Sequence, residues 1–155
     1  NDQEKMAGLM VDDLLSGKVV ALSQGRFEWG PRALGNRSIL ADPRRAEMKE
    51  IVNTKIKFRE PFRPFAPDIL EERAEEYYVG LKDAERHYPL RYMLMVFPVR
   101  EDKQAVIPAV THEGGSGRHK CLACAASFLD AERAFRDGHI VFARQAQNCA
   151  AGDAG

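Results

Sequence analysis

Prolines at positions 61, 64 and 67 set the strongest constraint on how this chain can fold. Each ring fixes its own φ, removes a backbone donor and drives the preceding residue into extended conformation, so three at this spacing exclude a helix through that stretch. The chain must pass from one half to the other as an extended segment, with helices on either side.

Before that segment, Met6, Leu9, Met10 and Leu14 recur at helical spacing and Gly17 stops the run, which predicts a helix over 2–16. The β-branched and aliphatic run 18–23 predicts a buried strand, and the glycines and Pro31 of 25–35 an ordered loop. A short strand is expected at 38–41, then an Asp42-Pro43 turn and a helix with Met48, Ile51, Val52 and Ile56 on one face. Beyond the prolines, 68–78 reads as a charged surface helix, 92–99 as a strand despite Pro98, 109–111 as another strand and 114–117 as a tight turn. A short helix at 128–136 and a strand at 140–142 complete the pattern. Helices interleaved with short apolar strands argue for an α/β layer fold with a mixed sheet.

At 155 residues and 45% hydrophobic content the chain suffices for one domain with its own core. Lys plus Arg equal Asp plus Glu at 23 each, so no whole-protein field draws in nucleic acid or an anionic membrane, and any electrostatic function is local. No apolar run is long enough to span a bilayer and no signal-peptide pattern is present, which leads to the expectation of a soluble, cytoplasmic protein. The three cysteines fit a reducing compartment better than a disulfide framework. The chain starts at Asn1 and enters an amphipathic pattern at once, so it reads as a piece of a longer polypeptide.

Charge concentrates in residues 26–64, where ten Lys or Arg face five acids. Arg matches phosphate and carboxylate oxygens with a fork of donors, and Lys adds a compact charge. Gly30 and Gly35 bracket Arg32 in a stretch whose backbone can approach a ligand closely. A solvated basic face beside an ordinary turn is the plain alternative. The proline spacing weighs against it, because Phe58, Phe62 and Phe65 can anchor the segment while charged heads point elsewhere. Glu28 is expected to pair with an arginine and Trp29 to lie in the core.

The run Gly25-Arg26-Phe27-Glu28-Trp29-Gly30-Pro31-Arg32-Ala33-Leu34-Gly35-Asn36-Arg37-Ser38-Ile39-Leu40-Ala41-Asp42-Pro43-Arg44 resembles the signature that opens the carboxyl-terminal, YrdC-like domain of the O-carbamoyltransferases of nodulation factors and antibiotics. Two further blocks are similar: Asn53 through Lys55-Ile56-Lys57-Phe58-Arg59-Glu60 to Phe62-Arg63-Pro64-Phe65-Ala66-Pro67, and Ile107-Pro108-Ala109-Val110-Thr111-His112 followed by Gly117-Arg118. The resemblance covers about residues 6–118 and implies a twisted, open mixed sheet with flanking helices, incomplete at its carboxyl end.

It also implies chemistry. Such a domain binds ATP, with Mg2+, and carbamoyl phosphate, and forms carbamoyl adenylate. A Kae1-like, iron-binding amino-terminal domain of the same parent protein then transfers the carbamoyl group to a hydroxyl. Carried over by position, Arg32, Lys57, Arg63 and Arg118 are the catalytic, charge-stabilising candidates, and Gly30, Gly35, Asn36, Arg37, Ser38, Arg59 and His112 the substrate- and nucleotide-binding ones. Fixed cations suit this task, because attack on the α-phosphate builds negative charge on oxygen. The expected partners are small-molecule substrates and the amino-terminal domain, with no membrane; an oligomer is compatible with the sequence.

The resemblance stops after Arg118, dividing a domain over 1–118 from a tail over 119–155 that holds all three cysteines and ten alanines. Such a tail suits a reading-frame change, and truncation at Arg118 is expected to leave most stability and ligand affinity intact. Cys121 and Cys124 form a lone C-x-x-C without a second pair, so no metal is expected. Two other function classes fit the residues: an RNA-binding YrdC-like module, and an inactive remnant of the transferase.

Overall fold

A computed structural model describes residues 2–27, 29, 33, 36–70, 73–82, 87–118, 120–122 and 142–144. The fold is mixed α/β, and among the described residues its strands are divided among three small sheets.

Helix α1 (Asp2–Leu15) ends at Gly17, whose φ of +83° suits a residue without Cβ. Of its predicted apolar stripe only Leu14 is buried; Met6 and Leu9 are exposed. Strands β1 (Val20–Ser23) and β2 (Arg37–Leu40) pair antiparallel, with Val20 opposite Leu40 and Ser23 opposite Arg37. Both expected strands are therefore present, joined across the glycine-rich loop, but β1 is not the buried strand expected: of its residues only Leu22 is buried, because the two-stranded sheet leaves its other face open. Helix α2 (Met48–Ile51) runs into a π-helical turn, Val52–Ile56, which buries Met48 and Val52 as their spacing requires.

The proline segment then enters β3 (Ala66–Leu70). Here the expected helix over 68–78 is corrected: residues 68–70 continue the strand, and α3 covers only Ala74–Tyr77. Asp68 and Ile69 are buried and β3 is paired on both sides, so tertiary pairing overrides the helical preference of the charged run. Strand β6 (Lys120–Leu122) pairs parallel with it, Asp68 opposite Lys120, and β7 (Phe142–Arg144) antiparallel, Asp68 opposite Phe142. Pro67 is tolerated because β6 pairing begins only at Asp68, leaving its missing donor without a partner to disappoint on that edge.

The expected strand over 92–99 is likewise shortened. Residues Tyr88–Tyr92 form a 3₁₀ turn that ends at Met93 in the left-handed region (φ 55°), and only β4 (Val96–Pro98) is extended. Helix α4 (Glu101–Gln104) follows, and residues 109–111 are a turn, not a strand. Pro108 fits the second position of such a turn, and the Thr111 N–H and Oγ1 both return to the Ile107 carbonyl, at 3.2 and 2.9 Å. The turn expected at 114–117 is present but ends at Gly115, at φ +70°, because residues 116 and 117 already belong to β5 (Ser116–Arg118), which pairs antiparallel with β4. A Cβ on Gly117 would stand 2.7 Å from the Tyr78 hydroxyl, so only glycine lets β5 lie on that buried ring. The core gathers Ile39 of β2, Ile69 of β3, and Phe65, Tyr78, Leu90 and Ile107 from the connections, with the half-buried Phe97 of β4 packed against them. The expected helix at 128–136 and positions 140 and 141 of the expected last strand lie outside the described residues.

Because 119–155 supplies both neighbours of β3, a chain ending at Arg118 is predicted to lose several kcal/mol of stability, at about 1 kcal/mol for each backbone hydrogen bond removed. Urea unfolding of the shortened and full chains, compared at equal pH, checks this.

Candidate functional site

The helical segment 48–56 organises the basic residues, since it carries a cationic group near each end. The two ends lie on the order of 10 Å apart at the ordinary helical rise.

At the carboxyl end, the Lys57 N–H bonds the Val52 carbonyl at 3.0 Å and closes the π turn. Burial, with the Arg59 charge adding to it, pushes the Lys57 ammonium down to about 8. Phe58 follows in the left-handed region, at φ 48°. The Arg59 Nε donates to Asn53 Oδ1 at 2.7 Å and its guanidinium lies 5.1 Å from the centre of the Phe65 ring. Arg63 forms an exposed ion pair with Glu60 at 2.8 Å. Burial and the Arg63 charge lower the Arg59 guanidinium, against the opposing pull of Glu60. Three predicted site residues, Lys57, Arg59 and Arg63, thus share one short segment whose charges work against each other.

Near the amino end, His112 Nδ1 lies 3.4 Å from Ser116 Oγ, while its Nε2 is buried and has no hydrogen-bond partner among the described residues. Burial first, then the charges of Arg118 and Lys49, lower the His112 pKa, so the ring is neutral at neutral pH. Arg118, at the end of β5, thus bears electrostatically on His112. Lys49, on α2, joins them and was not singled out in the sequence. Its charge reaches His112 from more than sixty residues away along the chain, which no local spacing encodes.

The remaining candidates occupy the start of β2. Arg37 donates to the carbonyls of Gln24, Asn36 and Gly25 and stacks 4.4 Å from the Phe27 ring centre. Asn36 Nδ2 donates to the Arg26 carbonyl at 2.9 Å, and Ser38 is buried in the strand. Asn36 and Arg37 here clasp the two ends of the glycine-rich loop. Gly30, Arg32, Gly35 and the expected ion pair of Glu28 lie outside the described residues.

Two aromatic expectations are corrected. Trp29 is fully exposed and not in the core, because the tightly clasped loop base holds the loop's aromatic away from the interior that Phe65, Tyr77 and Tyr78 already fill. Phe58 and Phe62 are 86% and 69% exposed, so Phe65 alone of the three anchors its segment; the left-handed turn at Phe58 points the first ring outward. Elsewhere, Arg44 is held by buried Asp42 and Arg45 by Glu47, which removes both from the pool of free cations.

With this geometry in place, comparison with known proteins is decisive. The carbamoyltransferase C-terminus family matches residues 11–130. The chain belongs to that family. Its relatives include the nodulation protein NolNO of Sinorhizobium fredii, 47% identical over 115 residues, covering 74% of this chain and 16% of the relative. The nodulation protein NolO of Bradyrhizobium diazoefficiens is 49% identical over 115 residues, covering 74% of this chain and 20% of the relative. Nodulation protein U of Rhizobium tropici is 44% identical over 106 residues, 68% of this chain and 17% of the relative. The chain thus spans a fifth or less of the length of these curated relatives. The family match extends twelve residues past Arg118, through β6. Among the described residues no helix is long and apolar enough to cross a membrane.

Lys57 yields a pH signature. Its folded-state pKa of about 8 lies below its ordinary unfolded value of about 10.4, so the unfolded chain holds this proton more tightly. Stability is predicted to rise with pH between those two values, by an amount reduced by the solvent that reaches the half-buried amine. Denaturant unfolding from pH 7.5 to 10 checks this, and Lys57→Met is expected to flatten the rise.

Proposed function

We propose that this chain is the carbamoyl-activating part of an O-carbamoyltransferase. It binds ATP and carbamoyl phosphate, lets water release inorganic phosphate from the latter, and joins the resulting carbamate to the α-phosphate of ATP with release of pyrophosphate to give carbamoyl adenylate. It hands this to a Kae1-like amino-terminal domain, where the carbamoyl group passes to a hydroxyl and AMP leaves. The observation that carries this reading is Lys57, a half-buried ammonium without an ion pair among the described residues, within a block that the carbamoyltransferase C-terminus match contains. A cation kept partly out of water and unneutralised by protein acids is suited to a phosphate ligand, which supplies the missing charge.

Each cluster has a role in this scheme. Lys57, Arg59 and Arg63 hold the nucleotide phosphates and stabilise charge that builds on the α-phosphate oxygens as the carbamate oxygen attacks. His112, neutral and with Nε2 unpaired, is fit to hydrogen-bond the carbamoyl group, with Arg118 on its phosphate. No group of three or more His, Cys, Asp or Glu among the described residues could hold a metal, so Mg2+ would be carried by the nucleotide phosphates. Iron belongs to the amino-terminal domain in this scheme, and no step here runs through it. The YrdC-like sheet and the cytoplasmic location are part of the same proposal.

A second reading, an RNA-binding module, gains one observation: Phe27, Trp29, Phe58 and Phe62 are all exposed within the basic window, as stacking residues would be. Filter binding with steep salt dependence would favour it, and indifference to RNA would remove it.

For the principal reading, Lys57→Ala is predicted to weaken ATP binding by about 1–3 kcal/mol, the scale for losing a charged hydrogen-bond partner. Titration calorimetry giving wild-type affinity in that variant would sink the assignment.

A further inference from the structure

We propose that Asn53 is a positioning residue that shapes the basic segment from Lys57 to Arg63 for its anionic ligand, acting through the backbone without touching the ligand. The nature of that ligand rests on the function proposed above; the positioning does not.

Asn53 has no exposed surface, yet both its amide nitrogen and its amide oxygen are hydrogen-bonded. Oδ1 accepts from Arg59 Nε at 2.7 Å, and Nδ2 donates to the carbonyls of Pro61 at 3.0 Å and Arg63 at 2.9 Å. Its own carbonyl accepts the Arg59 N–H at 3.0 Å. One buried side chain therefore grips three residues of the segment, those at 59, 61 and 63. A leucine would fill similar space without the desolvation that a buried amide incurs, so what the amide contributes is the path of the backbone.

That path is not one the segment would choose. The π turn over Val52–Ile56 closes through an i to i+5 bond, a form that recurs at functional positions. Phe58 is then left-handed, an unfavourable region for a bulky side chain, and persists only if its surroundings impose it. Lys57, Arg59 and Arg63 also repel one another, with Glu60 the only acid of the segment beside them. Released, the segment would relax Phe58 and separate its charges. The Asn53 hydrogen bonds oppose both movements and hold the cations gathered before any anion arrives.

The test uses Asn53→Ala in the full chain, with two readings: NMR titration of the Lys57 ammonium, and MgATP affinity by calorimetry. In the wild type the Lys57 midpoint is expected near 8. In the variant it should climb toward the ordinary lysine range, and MgATP affinity should fall about tenfold. A folded variant in which the Lys57 midpoint stays put overturns the proposal even if its stability drops, because Asn53 would then be structural only. An ordinary lysine midpoint in the wild type overturns it as well. If the wild type binds no MgATP but the midpoint moves in the variant, positioning stands and the nucleotide reading fails. Should the variant not fold, exchange of the Asn53 side-chain amide hydrogens in the wild type decides: slow exchange supports the grip on Pro61 and Arg63, and free exchange refutes it.

Discussion

The double pairing of β3 is the interaction on which the molecule depends. Its residues come directly after the proline segment, and Ile69, wholly buried, ties the sheet to the core. Pairing with β6 on one edge and β7 on the other fixes where residue 66 must lie, and so fixes where the extended stretch from Lys57 to Phe65 ends. The other end is fixed by the helical segment 48–56. The basic loop is held at both ends, and its internal strain and repulsion are borne by the elements that hold it. A loop attached at one end only would relax.

Separation of roles among the arginines follows from what surrounds each. Arg37 meets backbone carbonyls and Arg44 meets a buried aspartate; both act as fasteners. Lys57 and Arg118 meet no acid among the described residues and keep their charge available. A neutral chain can in this way keep positive ground locally, because acids such as Asp42 and Glu47 stand beside cations that build the fold, while Lys57 and Arg118 have none beside them among the described residues.

Much of this was legible in the sequence, and the reasons for the rest are specific. The strands at 20–23 and 37–40 and the helix before residue 16 were readable because glycines and a dense aliphatic run mark them locally. The span 68–78 was misread because its charged residues carry a helical preference while its fate is set by strands far along the chain. Within 92–99, the left-handed Met93 cuts the strand short, and nothing in a methionine announces that conformation. Candidate residues can be named from their motif blocks, but not which of them, such as Arg37, would serve as fasteners, nor that the Lys49 charge would bear on His112. Burial of the aromatics was the poorest expectation: composition says that phenylalanine prefers the interior, not that a left-handed turn will face one outward.

The exposure of Trp29 has a practical consequence for anyone following this protein by fluorescence. It is the one tryptophan in the chain and is fully solvated, so its emission already has the long-wavelength character of an unfolded chain before any denaturant is added. Melting of the core would pass almost unseen in that signal. The buried tyrosines Tyr77 and Tyr78, or far-ultraviolet dichroism, report on the interior instead, and the indole is left as a private reporter of the glycine-rich loop, responsive to whatever settles upon it.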